Sequence, residues 1–144
     1  MEITKLSDKK IVFTNGCFDL LHPGHIELLK FSKNLGDYLV VGLNSDKSIK
    51  RLKGHNRPVN NQEARKILLE SIKYVDEVII FDEDTPYNLI LKIQPSILVK
   101  GGDYSKEQVV GYTLEQKGIL EIVIYDYDTR YSTTKIIQSI SDRR

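Results

Sequence analysis

Thr14 to His25 reads TNGCFDLLHPGH, and the fold turns on what this stretch joins. An apolar run, Ile11-Val12-Phe13, comes before it, and an amphipathic run, Ile26 to Leu35, follows. Gly16 sits just after the apolar run, and Pro23-Gly24 stands at the mouth of the next element. A short β-branched run, a glycine-bearing turn and a 3.6-period pattern read as strand, loop and helix. Two of the chain's three histidines fall in this one turn, His22 and His25.

The same alternation repeats along the chain. Strands are predicted at 10–14, 38–43, 77–81, 97–100 and 121–125, each short and nearly continuously apolar, as strands covered on both faces are. Helices are predicted at 24–35, 61–74, 86–93, 106–117 and from Ser132 or Thr133 to Ser141. In the second of these, Ala64, Ile67, Leu68, Ser71 and Ile72 share one face, with Glu63, Lys66 and Glu70 largely opposite. Strand–helix alternation implies βαβ crossovers. The expected fold is α/β, a single Rossmann-like doubly wound domain over residues 1–144 with a five-stranded, mostly parallel sheet. Ligands of such sheets bind outside the carboxyl ends of the strands. Function is therefore sought in the loops after them: TNGCFDLLHPGH, NSDKSIKRLKGHNRP, DEDTP, GGDYS and DYDTRYSTT.

Bulk properties narrow the classes. The chain has 144 residues, 40% apolar and 28% charged, and a net charge of +1. It can bury a core without disulfides or a structural metal. The charge gives nucleic acid binding no support. A lone cysteine, Cys17, excludes an internal disulfide, which fits a reducing compartment. No apolar run approaches the roughly 20 residues of a membrane span, and MEITKLSDKK lacks the apolar region of a signal peptide. The expectation is a cytoplasmic protein with no membrane or nucleic acid partner.

The first loop carries the chemistry. A helix N-terminus offers unpaired N–H groups and a positive dipole end, a ready anion site. Two imidazoles there add donors, so His22 and His25 are expected to grip a phosphate chain, with Gly24 and the backbone around Asn15–Phe18 in support. The His-Xaa-Xaa-His spacing also suits a metal, but a positively polarised helix start disfavours a cation. Ser132 or Thr133 suits an N-cap, a role compatible with phosphate contact.

His22-Pro23-Gly24-His25, after a strand and a Thr-Asn-Gly-Cys-Phe-Asp turn, resembles the HxGH signature of the cytidylyltransferase-like nucleotidyltransferase superfamily. Tyr131-Ser132-Thr133-Thr134-Lys135-Ile136 resembles its second motif, and the whole chain fits between the two. Two branches compete. Phe18-Asp19-Leu20-Leu21-His22 and Tyr74-Val75-Asp76-Glu77-Val78 are shared with the glycerol-3-phosphate cytidylyltransferase type. Thr14-Asn15-Gly16, Asn44-Ser45-Asp46, Arg51-Leu52-Lys53-Gly54, Arg57-Pro58-Val59-Asn60, Asp84-Thr85-Pro86 and Val99-Lys100-Gly101-Gly102-Asp103-Tyr104 are shared with the adenylyltransferase domain of ADP-heptose synthase. The second set covers more loops. Tyr127-Asp128 stands where the cytidylyltransferase branch carries Arg-Thr. Arg130 and Tyr131 depart from the heptose branch, which has glycine and a small residue there. That domain is often fused to a sugar kinase; this chain looks like the stand-alone transferase.

The resemblance implies transfer of a nucleotide from an NTP, ATP first, to a sugar 1-phosphate, with a heptose phosphate as the favoured acceptor. Pyrophosphate is released and the product serves surface polysaccharide synthesis. CTP-dependent transfer to glycerol 3-phosphate or another polyol phosphate is the alternative, and a non-catalytic nucleotide-binding module is a third reading. His22, His25, Lys53 and Arg65 are implied as catalytic. Thr14, Asn15, Gly16, Cys17, Phe18, Gly24, Gly101, Asp103, Ser132, Thr133 and Thr134 are implied around the nucleotide. Asp19, Lys100 and Arg130 are implied toward the acceptor, with Asp19 either holding Mg²⁺ shared with the phosphates or anchoring its loop. Mg²⁺ is expected with the NTP, and a homodimer is expected from relatives.

Overall fold

The structure, a computed structural model, describes residues 8–102, 104–126 and 130–143. Its centre is strand β1 (Ile11–Gly16), followed in chain order by β2 (Tyr38–Asn44), β3 (Glu77–Phe81), β4 (Ile97–Gly101) and β5 (Glu121–Tyr125). All neighbours pair in parallel, in the order β3-β2-β1-β4-β5. The sheet is thus wholly parallel where a mostly parallel one is predicted.

Alternation along β1 divides the core. Ile11 and Phe13 point to one face, where Val40, Leu98 and Ile122 meet them. Val12 points to the other, with Leu39, Val41 and Val99. This is the two-residue period of a strand buried on both sides. Helices α4 (Tyr87–Ile93) and α5 (Tyr112–Gln116) cover the first face through Leu89, Ile90, Ile93 and Leu114. Helices α1 (Pro23–Lys33) and α3 (Gln62–Glu70) cover the second through Leu28, Leu29 and Leu69. Glycine is required where β2 passes under Phe13, because a Cβ at Gly42 would meet that ring at 2.7 Å.

Three helical expectations need correction. Residues 46–53 form helix α2 (Asp46–Lys53), not a loop. It has Ser45 as N-cap accepting from the Ser48 N–H, Asp46 in its first turn, and Lys50, Arg51 and Lys53 in its last. Those charges match the helix dipole. The helix predicted at 106–117 is broken: a 3₁₀ turn at Lys106–Gln108 leads to Gly111, whose φ of 96° no helix accepts, and α5 starts after it. Helix α3 is shorter and turned on its axis. Arg65 and Leu69 are its buried residues, while Ile67 and Leu68 are 63% and 43% exposed. What Arg65 does inside explains that rotation.

After β1 the chain runs outward through β2 to the β3 edge, then returns to place β4 on the other side of β1. The switch in strand order therefore lies between β1 and β4. The loops ending these two strands open a crevice there, the position where open α/β sheets bind ligands.

Candidate active site

The cleft at this switch point has a volume of about 420 Å³. Asn15, Gly16, Cys17 and Phe18 line it from the end of β1, and Gly24 and His25 from the start of α1. Lys100, Gly101 and Tyr104 close it from β4, with Asn44, Leu52, Lys53 and Asp84 on the remaining side. Site residues expected from three separate loops, those after β1, β2 and β4, thus converge. Asn44, Leu52, Asp84 and Tyr104 also line the cleft; the sequence assigns them no role, and their signal is a place in the loop segments shared with the heptose branch.

The two histidines form a reciprocal cap on α1. His22 is the N-cap residue, and its Nδ1 accepts the Gly24 N–H at 3.1 Å. The His25 Nδ1 accepts the His22 N–H at 3.2 Å. It is the capping-box arrangement, built from imidazoles. The rings stack, with centroids 3.8 Å apart. A ring nitrogen that accepts a hydrogen bond carries no proton, so both rings are neutral and keep their proton on Nε2. Burial pushes the His25 pKa down to about 3, helped by the neighbouring His22 and Lys53 and opposed by Asp19. Burial also lowers His22. Each Nε2–H remains available as a neutral donor.

Asp19 is 2% exposed and spends both carboxylate oxygens on backbone. Oδ2 accepts the Val59 N–H at 2.6 Å and Oδ1 the Asn60 N–H at 2.9 Å. Arg57 stands near, its Nε 3.8 Å from Oδ2. Phe18 and Leu20 on either side have positive φ, 47° and 51°. Such conformations are costly for residues with a Cβ and persist only where surrounding bonds fix them. Of the two roles weighed for Asp19, the geometry gives loop anchor. The Thr133 hydroxyl donates to the Asp19 carbonyl, which brings the second motif against the first turn.

Arg65 is fully buried and does not face the cleft. Its Nε donates to the Asn60 carbonyl at 2.9 Å; one terminal nitrogen donates to the carbonyls of Cys17 and Asn44, both at 2.8 Å. The other meets Asp46 Oδ1 at 2.8 Å. The guanidinium expected to neutralise phosphate is instead spent on the protein's own backbone. It ties the first turn, the end of β2, the start of α2 and the 60 loop together. Arg65 is a positioning residue.

Other expected residues divide. Thr14 is buried with its hydroxyl donating to the Val99 carbonyl at 2.9 Å, joining β1 to β4. Gly16 makes room within the protein itself, since a Cβ there would lie 3.1 Å from the Phe18 ring. Lys100 sits over the Tyr104 ring at 4.9 Å, and burial lowers its pKa, with Lys53 pushing the same way. Ser132 caps helix α6 (Thr133–Asp142), accepting the Lys135 N–H at 3.0 Å. Thr134 is exposed. Arg130 lies beside the Tyr131 ring in a separate surface groove along α6, away from the central cleft. Asp103 lies outside the described residues. Among the described residues, no group of three or more His, Cys, Asp or Glu could hold a metal, and no helix is long and apolar enough to cross a membrane.

The bifunctional protein HldE of Campylobacter jejuni strain RM1221 is 51% identical over the whole chain, and that of Campylobacter fetus 54% identical over 93% of it. The chain spans only about 30% of the length of these relatives. A lipopolysaccharide core biosynthesis protein from Thermoplasma volcanium superposes with a TM-score of 0.72 at 31% identity, covering 83% of this chain and 98% of its own. A Thermus thermophilus pantothenate synthetase shares the fold alone, at 17% identity and a TM-score of 0.60. The cytidylyltransferase-like family model matches residues 13–139, from β1 through both motifs into α6. The chain belongs to the cytidylyltransferase-like family.

Proposed function

We infer that the chain is a nucleotidyltransferase. It moves a nucleoside monophosphate from an NTP, ATP by preference, to the phosphate of a sugar 1-phosphate, with a heptose 1-phosphate as acceptor. Pyrophosphate leaves, and the nucleotide-activated sugar supplies surface polysaccharide synthesis. The observation that carries the reading is the histidine cap: two neutral Nε2–H donors at a helix N-terminus, with His25 lining a cleft that also holds Lys53 and Lys100 and His22 stacked behind it. The relatives named HldE and the lipopolysaccharide core biosynthesis protein support the choice of acceptor class.

The chemistry follows from the donors. An acceptor phosphate oxygen forms a bond to the α-phosphorus while the bond from that phosphorus to the bridging oxygen breaks, and pyrophosphate departs with the electron pair. The nucleophile is already anionic, so no general base is required. The protein holds the two phosphates in line and stabilises charge on the phosphoryl oxygens. The Nε2–H groups of His22 and His25 and the α1 N-terminus serve the triphosphate, and the lysines offset charge that builds toward pyrophosphate. The partial positive charge of a helix start and a neutral donor work without gaining or losing a proton. Cys17 needs no covalent role.

Mg²⁺ belongs to this reaction as part of the nucleotide substrate. The described residues do not make a cage for a resident ion, and the Asp19 carboxylate is engaged by two backbone N–H groups. Mg²⁺ commonly keeps its waters and binds through substrate phosphates.

The CTP reading rests on segments shared with the other branch. One of these has an architectural role. Asp76 accepts the Leu39 N–H at 2.7 Å and the Lys33 ammonium at 2.6 Å, and Glu77 accepts the Tyr38 hydroxyl at 2.8 Å. The Val-Asp-Glu-Val segment therefore fastens β3 to β2 away from the cleft and carries no information about the base. The test is pyrophosphate release with Mg²⁺, crossing ATP, CTP, GTP and UTP against D-glycero-D-manno-heptose 1-phosphate and glycerol 3-phosphate. Turnover with ATP and the heptose phosphate is expected. Turnover with CTP and glycerol phosphate alone selects the other branch, and nucleotide binding without turnover in any combination selects the binding-module reading.

A further inference from the structure

A second cavity of about 190 Å³ opens beside the central cleft and shares Asn15, Asp84, Lys100 and Tyr104 with it. Its walls are apolar, formed by Leu98, Val99, Val109 and Val110. Its rim is polar, with Asn15, Asp84, Thr85 and Gln108. A concave apolar pocket with a few convergent polar groups is the usual form of a small-molecule site.

The polar groups are held ready. Gln108 Oε1 accepts the Ser105 N–H at 2.9 Å, which fixes the amide and leaves its NH₂ with no acceptor among the described residues. Asp84 Oδ1 accepts the Arg51 Nε–H at 3.0 Å, which leaves its second oxygen open. The Thr85 hydroxyl and the Asn15 amide likewise make no hydrogen bond with described residues. A mixed set of donors and acceptors, the Gln108 NH₂, the Thr85 hydroxyl, the Asn15 amide and one Asp84 carboxylate oxygen, suits neutral hydroxyl groups, which both donate and accept. Lys100 stands at the junction of the two cavities without a carboxylate partner among the described residues, and Lys53 lines the same cleft.

We propose that this side cavity seats the polyol body of the acceptor, a single phosphorylated sugar, with Thr85 and Gln108 reading its hydroxyls and Lys100 taking its phosphate. The proposal rests on the nucleotidyl-transfer reading above. The volume equals about six waters at their liquid share of ~30 Å³ each, room for one sugar ring and none for a nucleoside triphosphate. With the sugar in the side cavity, its phosphate at Lys100 faces the central cleft that His25 also lines. Acceptor selectivity then resides in the β3–α4 and β4–α5 loops, not in the histidine motif.

The test is equilibrium binding to the full chain in the presence of Mg²⁺ and α,β-methylene-ATP, which cannot undergo transfer. Heptose 1-phosphate and inorganic phosphate are titrated into wild type, Thr85→Ala, Gln108→Ala and the double variant. Both residues are exposed, Thr85 on the β3–α4 loop and Gln108 at the end of the 3₁₀ turn, and urea unfolding of each variant checks that it folds. The double variant is expected to bind the sugar phosphate about tenfold more weakly, with affinities for inorganic phosphate and the ATP analogue unchanged. Sugar phosphate binding equal in wild type and double variant overturns the proposal, as does a wild type that binds sugar phosphate no tighter than inorganic phosphate. Pyrophosphate release by wild type judges the transfer reading separately. Release without any effect of the variants on binding removes the pocket and keeps the enzyme, and the converse pattern keeps the pocket and removes the enzyme.

Discussion

His22 and His25 hold each other's position: the Nδ1 of His25 accepts the backbone N–H of His22, and the His22 Nδ1 accepts that of Gly24. One arrangement settles helix start, tautomer and donor direction together. The two groups of the motif that look most reactive are thereby kept neutral.

The first prediction concerns turnover. His25→Ala removes one preorganised donor while leaving the His22–Gly24 cap, and should lower kcat about 10²-fold. His22→Ala should do the same and also cost about 1 kcal/mol of stability through the lost cap. Steady-state pyrophosphate release, paired with urea unfolding, separates the two effects. Wild-type kcat in both variants would remove the imidazoles from the reaction.

Stability should depend on pH through His25. Its pKa is about 3 in the folded chain against an ordinary 6.5. Between these values the unfolded chain binds a proton that the native chain does not. The contribution is therefore intact above pH 6.5 and lost as pH falls toward 3, with a limiting slope of about 1.4 kcal/mol per pH unit. From pH 7.5 to 5.0 the wild type should lose about 2 kcal/mol more than His25→Asn in urea unfolding. Equal losses would mean that the native imidazole takes up the proton freely.

Arg65→Met should cost about 3–5 kcal/mol, because it strands Asp46 and leaves three carbonyls without their donor. Since Arg65 touches the Cys17 carbonyl, the KM for ATP should rise as the first turn loosens. A soluble, stable Arg65→Met chain with wild-type KM would show that the clamp is dispensable.

Asp19→Asn keeps the size of the side chain but turns one accepting oxygen into an NH₂ donor, so one of the two backbone hydrogen bonds is lost, the other loses its charge, and Arg57 loses its carboxylate. A loss of about 1–3 kcal/mol is expected. Because the Thr133 hydroxyl donates to the Asp19 carbonyl, α6 should loosen too, visible as faster amide exchange at Lys135 and Ile136. Unchanged exchange there would uncouple the two motifs.

Much of this was legible in the residues, for identifiable reasons. Strands 77–81 and 121–125 match their predicted bounds because buried parallel strands are unbroken apolar runs between polar turns. Helix α2 escaped because DKSIKRLK holds two apolar residues and buries only one of them, Ile49; its signals were the Ser45 cap and the charge order, not periodicity. The rotation of α3 escaped because pattern reading counts arginine as surface. Arg65 is buried by partners as distant in sequence as Cys17, 48 residues away. The role of Asp19 depended in the same way on Val59 and Asn60, 40 and 41 residues on. Local residue types pointed to the histidine turn, while the long-range hydrogen bonds that hold it were outside their reach.

The measurement that tests the central claim most directly is the ¹⁵N and ¹³C NMR of the two imidazoles, from pH 7.5 to 5.0, with and without Mg²⁺ and α,β-methylene-ATP. Both rings should be neutral Nε2–H tautomers at pH 7.5, His25 should stay so down to pH 5.0, and their Nε2 resonances should move when the analogue binds. An Nδ1–H tautomer, an imidazolium forming near pH 6.5 at His25, or Nε2 resonances that ignore the nucleotide would contradict the account.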